Sequence, residues 1–210
     1  MSALRHLQLP VSEADIRSIV LGDLVILTGD IVITAGLPTH QRIIEHIDGV
    51  GDLPYGLTGA AFLHLGSYSR DTDHGLEVLY MNPTTSTRFN PIMPKLIRHF
   101  GLRIIGGKGG LDAACVEAMR EIGCIYVSFL GGGAPLHSDA IEAVVDVGWT
   151  DLVSHYRLVK LRVRELGPLT VAIDAHGNSS YDILKDAATA RMPTILQDLA
   201  SQRARDSGAT

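Results

Sequence analysis

The sequence predicts a single α/β domain with a partly parallel central sheet, and three observations support this fold class. The 210 residues suffice to bury one substantial core, and one domain over residues 1–210 is the default for this length. Hydrophobic residues make up 46% and charged residues 20% of the chain, as in ordinary globular proteins. After residue 90, short apolar segments alternate with helical patterns, which is typical of right-handed βαβ units.

The first part of the chain consists mainly of predicted strands. Residues 23–35 contain two β-branched runs around a Gly-Asp pair, which predicts two strands joined by a turn. Pro38 suits the first turn of a helix whose isoleucines lie on one face. Residues 46–57 are rich in Gly, Asp and Pro and predict a surface loop. Further strands are predicted at residues 57–65 and 76–81.

From residue 90 onward, strands and helices alternate. Asn90-Pro91 predicts a helix start, with asparagine as the N-cap and proline at the first helical position. The later predicted elements are a strand at 102–105, a helix at 111–122, a strand at 124–130, a helix at 135–147, strands at 157–166 and 169–174, and a helix at 181–203 with a break near Met192-Pro193.

Composition excludes several classes of function. The net charge of −5 argues against nucleic-acid binding, which requires a basic surface. No apolar run is long enough to span a membrane, and the first residues lack the apolar core of a signal peptide, so we expect a cytoplasmic protein. The two cysteines, Cys115 and Cys124, are expected to be buried. They cannot hold a zinc ion or a four-cysteine cluster alone, so we predict no metal ligands on this chain.

A polar motif at residues 82–90, Asn-Pro-Thr-Thr-Ser-Thr-Arg-Phe-Asn, follows a predicted strand. Loops at the carboxyl ends of strands commonly carry ligand-binding groups in α/β proteins. Arg88 can bind a carboxylate through two parallel hydrogen bonds, and the hydroxyls of Thr84 and Thr85 can hydrogen-bond a substrate. The alternative is a turn in which the threonines cap the next helix and Arg88 is solvated.

A second motif, Gly-Gly-Lys-Gly-Gly at residues 106–110, lies at a predicted strand-to-helix turn. Glycines allow a ligand to approach the backbone closely, and Lys108 adds a positive charge. Gly109 stands where a phosphate-binding loop requires Ser or Thr, so a tight turn with an exposed lysine is the alternative. The glycine run at 131–133 indicates another close approach of a backbone or a ligand.

Two histidines stand out among the nine in the chain. His40 lies near the start of a predicted helix, where it could bind substrate, take part in acid–base chemistry or be a partly buried structural residue. His176 lies in a predicted turn, Asp-Ala-His-Gly-Asn, which could also have no chemical role.

Taken together, these motifs resemble those of the iron–sulfur-dependent class I fumarase and L(+)-tartrate dehydratase family. Residues 82–88 resemble the family's Gly-Pro-Thr-Thr-x-x-Arg motif, and Lys108 matches the lysine of its glycine-rich loop. Further similar segments are residues 22–29, 34–42 and 167–178. The resemblance extends from about Leu9 to Leu199.

The resemblance implies a swivelling β/β/α domain of the fumarase C-terminal type and the β subunit of a hydro-lyase. A separate α subunit would hold a [4Fe–4S] cluster, and the hetero-oligomer would hydrate or dehydrate a small dicarboxylate. Carried over to this chain, Thr84 and Thr85 would be catalytic in proton transfer, while Arg88, Lys108 and His40 would bind substrate. The details are slightly closer to tartrate dehydratase than to fumarase.

One segment departs from the family pattern. The family has Arg-Asp before the histidine, whereas this chain has Gly36-Leu37 before His40. Loss of a charged partner typically costs about 2–5 kcal/mol at a buried pair. The substrate could lack one carboxylate, Arg42 could replace the missing cation, or the reaction could differ. A non-catalytic dicarboxylate-binding or regulatory module that kept the fold is the alternative function.

Overall fold

The computed structural model describes residues 2–73, 75–131 and 134–207, which form a mixed α/β fold. The strands in these ranges are β1 (Leu4–Gln8), β2 (Leu24–Ile33), β3 (Ala61–Leu63), β4 (Leu65–Thr72), β5 (Gly75–Pro83), β6 (Ile104–Gly107), β7 (Ile125–Ser128), β8 (Ile141–Gly148) and β9 (Leu158–Ile173). The α-helices there are α1 (Glu13–Arg17), α2 (Leu37–Ile47), α3 (Met93–Phe100), α4 (Ala113–Ile122), α5 (Ala134–Ser138) and α6 (Ser180–Ser207). Gly132 and Gly133 of the predicted glycine run lie outside the described residues.

The central sheet has seven strands in the order β1-β2-β3-β6-β7-β9-β8. Strands β1, β2, β3, β6 and β7 pair in parallel. Strand β9 is antiparallel to both β7 and β2, so it closes the sheet on itself. The predicted partly parallel sheet with βαβ units is confirmed, with β2–α2–β3 and β6–α4–β7 as examples. Strands β4 and β5 form a separate antiparallel pair.

The core lies on both faces of this sheet because neighbouring strand residues point to opposite sides. Ile104 and Ile125 belong to the cluster enclosed by β2 and β9. Ile105 and Tyr126, one residue further along each strand, belong to the cluster covered by α2, α3 and α4. Strands buried on both faces explain the nearly continuous apolar runs in the sequence.

Two predicted strand pairs are in fact single long strands. Residues 23–35 do not form a hairpin, because β2 runs through Gly29 with a register irregularity against β9. A Cβ at Gly29 would lie 2.8 Å from the Leu9 carbonyl oxygen, so this glycine permits close strand packing rather than a turn. Strand β9 likewise continues through Gly167-Pro168, where two strands were predicted.

The prediction of a helix at residues 135–147 was wrong over most of its length. Helix α5 ends at Ser138, and β8 pairs antiparallel with β9 over residues 141–148. Val144 and Val147 pack partly buried against the core. Their three-residue spacing fits a helix pattern, but backbone pairing along β9 and the β-branched side chains favour a strand.

The ends of two helices also differ from the predictions. Asn90 is not the N-cap of the next α-helix, because α3 begins at Met93 with Pro94 in its first turn. Helix α6 continues unbroken through Pro193, where exposure allows water to bond the freed carbonyl. Within the described ranges, no helix is sufficiently long and apolar to traverse a membrane.

Candidate active site

The structure brings the two predicted motifs together. Thr84 follows β5, and Lys108 directly follows β6. The Lys108 N–H donates a hydrogen bond to the Thr84 carbonyl at 3.1 Å, and the Ser86 N–H donates to the Lys108 carbonyl at 2.8 Å. These bonds form a short parallel bridge between the motifs. The threonines and both cations therefore belong to one rigid edge, although more than a full strand and helix separate them in sequence.

Arg88 and Lys108 are both exposed at this edge. The Arg88 guanidinium donates a hydrogen bond to the Thr84 hydroxyl oxygen and lies 5.8 Å from the centre of the Phe89 ring. A donor on the hydroxyl oxygen of Thr84 favours its deprotonated form. The pair therefore combines a carboxylate-binding cation with an oxygen that can accept a proton.

Thr85 lies half-buried between the two motifs. It precedes the 3₁₀ helix Ser86–Phe89 but makes no side-chain capping bond there. The cap of α3 is Ile92, three residues beyond this 3₁₀ helix. The structure thus does not support the alternative in which the threonines serve as helix caps.

An open pocket of about 390 Å³ lies beside Thr84 and Lys108. Its remaining lining residues come from the β4–β5 hairpin and from the loops around residues 35 and 155. They are Ala35, Gly66, Ser67, Tyr68, Tyr80, Asn82, Pro83, Ser154 and His155. The pocket places a cation and a hydroxyl at one end of a space large enough for a small acid.

A series of buried hydrogen bonds holds the core-facing side of the motif at residues 82–90. The Ser86 hydroxyl lies 2.9 Å from His64 Nδ1 and 2.8 Å from the Tyr126 hydroxyl. A Cβ at Gly107 would lie 2.3 Å from Ser86 Oγ, so glycine is required there to admit the serine. Burial, and secondarily the charges of His40 and Arg88, lower the pKa of His64 well below its usual value.

His40 does not line the pocket but is fully buried beneath the motif. Its Nδ1 donates a hydrogen bond to the Gly36 carbonyl at 2.7 Å, and its ring stacks on Phe89 with centroids 3.9 Å apart. Burial lowers the pKa of His40 to about 4, so the ring is neutral at physiological pH. His40 therefore supports the motif from below, and its predicted contact with substrate stays a prediction.

The departure at Gly36 has a structural explanation. A Cβ at Gly36 would lie 2.8 Å from Tyr156 Cβ and 2.7 Å from Thr39 Oγ1. A side chain at this position would therefore require Tyr156 to move. Arg42 does not replace a cation here, since it forms a bidentate ion pair with Asp151 at 2.9 and 2.5 Å.

His176 lies in the predicted turn and does not line the pocket. Its N–H donates to the Asp174 carboxylate at 3.0 Å, and its Nε2 donates to the Arg17 carbonyl at 3.0 Å. Asp174 also accepts bonds from Asn178. These contacts join the end of β9 to α1, which indicates a structural role for this turn.

The cysteines are both buried, as predicted. Burial raises the pKa of each thiol, which disfavours the thiolate needed for metal binding. The described part of the chain contains no group of three or more His, Cys, Asp or Glu side chains placed to hold a metal ion. The described residues therefore do not fit an iron–sulfur cluster.

Sequence reasoning missed His64, Ser86, Tyr126 and His155. His64 interrupts an apolar segment, Phe-Leu-His-Leu, and a polar residue within a buried strand could have indicated it. Ser86 lies inside the recognised motif but was not distinguished from its neighbours. His155 lies in a short 3₁₀ helix, Ser154–Tyr156, whose sequence has no recognisable pattern, so its place at the pocket depends entirely on tertiary structure.

The fold and the site define the chain as an α/β protein with an exposed cationic edge built from a Thr-Thr-x-x-Arg motif and a Gly-Lys-Gly loop. The chain belongs to the Fumarase C-terminus family, whose model matches residues 3–184. This confirms the resemblance seen in the motifs.

Individual relatives agree with this family. The chain is 32% identical over 190 residues to the L(+)-tartrate dehydratase subunit beta of Escherichia coli K12, covering 90% of this chain and 92% of the relative. It is 31% identical over 173 residues to a putative L(+)-tartrate dehydratase subunit beta of Methanocaldococcus jannaschii, covering 82% and 88%. A putative class I fumarate hydratase of Geobacillus stearothermophilus is 31% identical over 187 residues, covering 89% of this chain but 35% of that longer protein. These relatives indicate a hydro-lyase subunit.

Proposed function

We propose that this chain is the β subunit of an iron–sulfur-dependent hydro-lyase that hydrates or dehydrates a small hydroxy-dicarboxylate. The candidate substrates are L(+)-tartrate and the malate/fumarate pair. One observation carries the proposal: the backbone bonds between Thr84, Ser86 and Lys108 place Arg88, Lys108 and the Thr84 hydroxyl at one open edge. The tartrate dehydratase and fumarase relatives support the same class of substrate.

Each residue at this edge has a proposed role. Arg88 and Lys108 bind substrate carboxylates, because a guanidinium and an ammonium at an accessible edge attract anions. Thr84 transfers the proton that leaves the carbon next to a carboxylate, assisted by Thr85. A threonine hydroxyl is a poor base in water, so Arg88 stabilises the developing negative charge on Thr84 Oγ1 through its hydrogen bond.

The proposal assigns the [4Fe–4S] cluster to a partner α subunit in a hetero-oligomer. The cluster would supply a Lewis acid for the substrate hydroxyl. Support comes from the two buried cysteines of this chain and from the subunit name of its relatives. We further propose a cytoplasmic location, a single fumarase C-terminal-like domain of the swivelling type, and no nucleic-acid partner.

The test is anaerobic co-purification with the candidate α subunit, followed by assays on L(+)-tartrate, malate and fumarate. We expect a brown complex that converts at least one of these acids and loses activity in Arg88→Ala. The matched control is Arg98→Ala, which removes an exposed arginine paired with Glu121 outside the pocket. An assembled complex that is inactive on all three acids, or equally active with Arg88→Ala, would contradict the proposal.

A non-catalytic dicarboxylate-binding module is the second candidate. The observation favouring it is the close packing of Tyr156 against Gly36, which leaves no room for the arginine that the family pattern has at this position. This candidate predicts a stable, colourless homodimer that binds dicarboxylates without a partner. Calorimetric titration of the isolated chain with malate, compared with its Lys108→Ala variant, distinguishes it from the first.

A further inference from the structure

The pocket beside Thr84 and Lys108 extends well beyond the two motifs. Its lining also includes His155 and the facing residues Tyr68 and Tyr80 of the β4–β5 hairpin, and this tyrosine pair lies three residues along the hairpin from the Leu65–Pro83 pair beside Thr84. The two tyrosine rings are stacked, with centroids 5.2 Å apart and planes 24° from parallel. Tyr68 is 58% exposed and Tyr80 is 40% exposed. Stacked and accessible phenol rings offer a flat apolar surface with hydroxyls at its edge.

Close contacts hold His155 beside the hairpin, next to Gly66. The Ala35 N–H donates a hydrogen bond to the His155 carbonyl at 3.0 Å, and the imidazole packs edge-on against Tyr156 at 4.3 Å. A Cβ at Gly66 would lie 3.3 Å from His155 Cβ, so glycine leaves room for this histidine. An imidazole can donate and accept hydrogen bonds, which suits a polar but uncharged group.

Charge is distributed unequally along the pocket. Among the described residues that line it, Lys108 is the only lysine or arginine, and none is an aspartate or glutamate. No cation can be introduced from residue 36 without displacing Tyr156. The pocket lining therefore carries one permanent charge, that of Lys108, with the Arg88 guanidinium bonded to Thr84 next to it, and the other side-chain polar groups of the lining are uncharged or, in His155, an imidazole.

The size of the pocket exceeds what a four-carbon acid requires. Its volume of about 390 Å³ lies within the roughly 300–1,000 Å³ of pockets that enclose drug-sized ligands. A four-carbon acid bound at Lys108 would leave the tyrosine end unfilled. Space and charge together indicate that a second, uncharged part of the ligand occupies that end.

We propose that His155, Tyr68 and Tyr80 form a specificity subsite for an uncharged substituent of the substrate. The substrate class is then a hydroxy acid with a carboxylate at Lys108 and an apolar or aromatic group attached to its four-carbon frame. This inference rests on the proposed function, since it deepens the specificity of the same site.

The test compares L-malate with malates that carry a methyl or a benzyl group at C3, using the anaerobic complex with the α subunit. We expect the complex to prefer a substituted malate, with a kcat/KM roughly tenfold above that for malate, because one hydrophobic contact discriminates by about 10- to 200-fold. His155→Ala and Tyr68→Leu should each abolish this preference, so that the ratio of kcat/KM for the substituted malate to that for malate falls to about one. His99→Ala, which removes an exposed histidine of α3 outside the pocket, should retain it.

Other outcomes separate the inference from the proposed function. Turnover of malate or tartrate without preference for a substituted acid, or a preference unchanged in both variants, overturns the subsite and leaves the hydro-lyase standing. Loss of α-subunit binding in Tyr68→Leu makes the tyrosines part of the subunit interface and also overturns the subsite. An assembled complex that converts no acid overturns the proposed function itself.

Discussion

The two sides of the turn at residues 84–89 differ sharply. On the outer side, Thr87 and Arg88 are exposed, and Lys108 lies beside them on the neighbouring loop. On the inner side, Ser86 and Phe89 are fully buried against two neutral histidines. Exposed charged side chains lie on the outer side, whereas the residues of the inner side are held by hydrogen bonds and stacked rings.

This difference separates binding from positioning. Exposed cations contribute little to fold stability, so their presence at one edge points to a ligand. The buried groups cannot reach a ligand, but they determine where the cations lie. Changes on the outer side should therefore affect activity without affecting stability, and changes on the inner side should affect stability first.

The largest expected effect comes from the outer cations. Lys108→Ala should lower kcat/KM about a hundredfold or more, because a charged contact to the substrate is lost. Its melting temperature should stay close to that of the wild type. The control is Lys95→Ala, which removes an exposed lysine of α3 that is paired with Asp48. Steady-state kinetics measure kcat/KM, and thermal denaturation measures the melting temperature. A large loss of stability in Lys108→Ala would contradict the separation of binding residues from positioning residues.

A proton-transfer role for Thr84 predicts an effect on turnover rather than binding. Thr84→Ala should lower kcat by roughly a hundredfold, in line with the 10²–10⁴ typical of acid–base groups, with KM changed only severalfold. Thr84→Ser keeps the hydroxyl and should recover most of kcat. An equal loss in kcat and in substrate binding would argue against proton transfer.

The buried histidines His40 and His64 should make the stability of the fold depend on pH. The pKa of His40 is lowered by burial from 6.5 to about 4, so between these values the unfolded chain binds a proton that the folded chain does not. The free energy of unfolding should therefore fall as the pH falls from about 6.5 towards 4. His40 alone accounts for about 3 kcal/mol of this loss.

Urea unfolding at pH 7 and at pH 4.5 measures this dependence. His40→Phe retains an aromatic ring against Phe89 but cannot be protonated. It should lose less stability between the two pH values than the wild type does. Equal losses in both proteins would show that His40 is not buried in the neutral form. His64 remains in both proteins, and because His40 helps to lower the pKa of His64, the loss of stability due to His64 should also be smaller in His40→Phe.

The smallest effect concerns the contact between the two motifs. Gly107→Ala places a methyl group 2.3 Å from Ser86 Oγ and should destabilise the fold by about 1–3 kcal/mol through overpacking. Gly56→Ala is the matched control, because a Cβ there has no atom within 4 Å. Equilibrium unfolding should separate the two variants, and equal stabilities would show that Ser86 readily moves away.

Much of the fold was predictable where local signals agree with tertiary packing. The apolar strands around residues 104 and 125 and the helix between them were predicted within two residues. The β8 segment was not, because its valines satisfy a helical spacing as well as a strand. Pairing with β9 decided in favour of a strand, and this pairing is not visible in the sequence of residues 141–148 itself.

The sequence alone determined the family, the parallel βαβ core and the motif residues Thr84, Arg88 and Lys108. These depend on residue types and spacings that the chain displays directly. Only the tertiary structure decided that Lys108 bonds to Thr84 and Ser86, that His40 faces the core, and that His155 reaches the pocket. The physical reason is that each of these placements depends on contacts between distant segments, such as Tyr156 against Gly36, which no local pattern encodes.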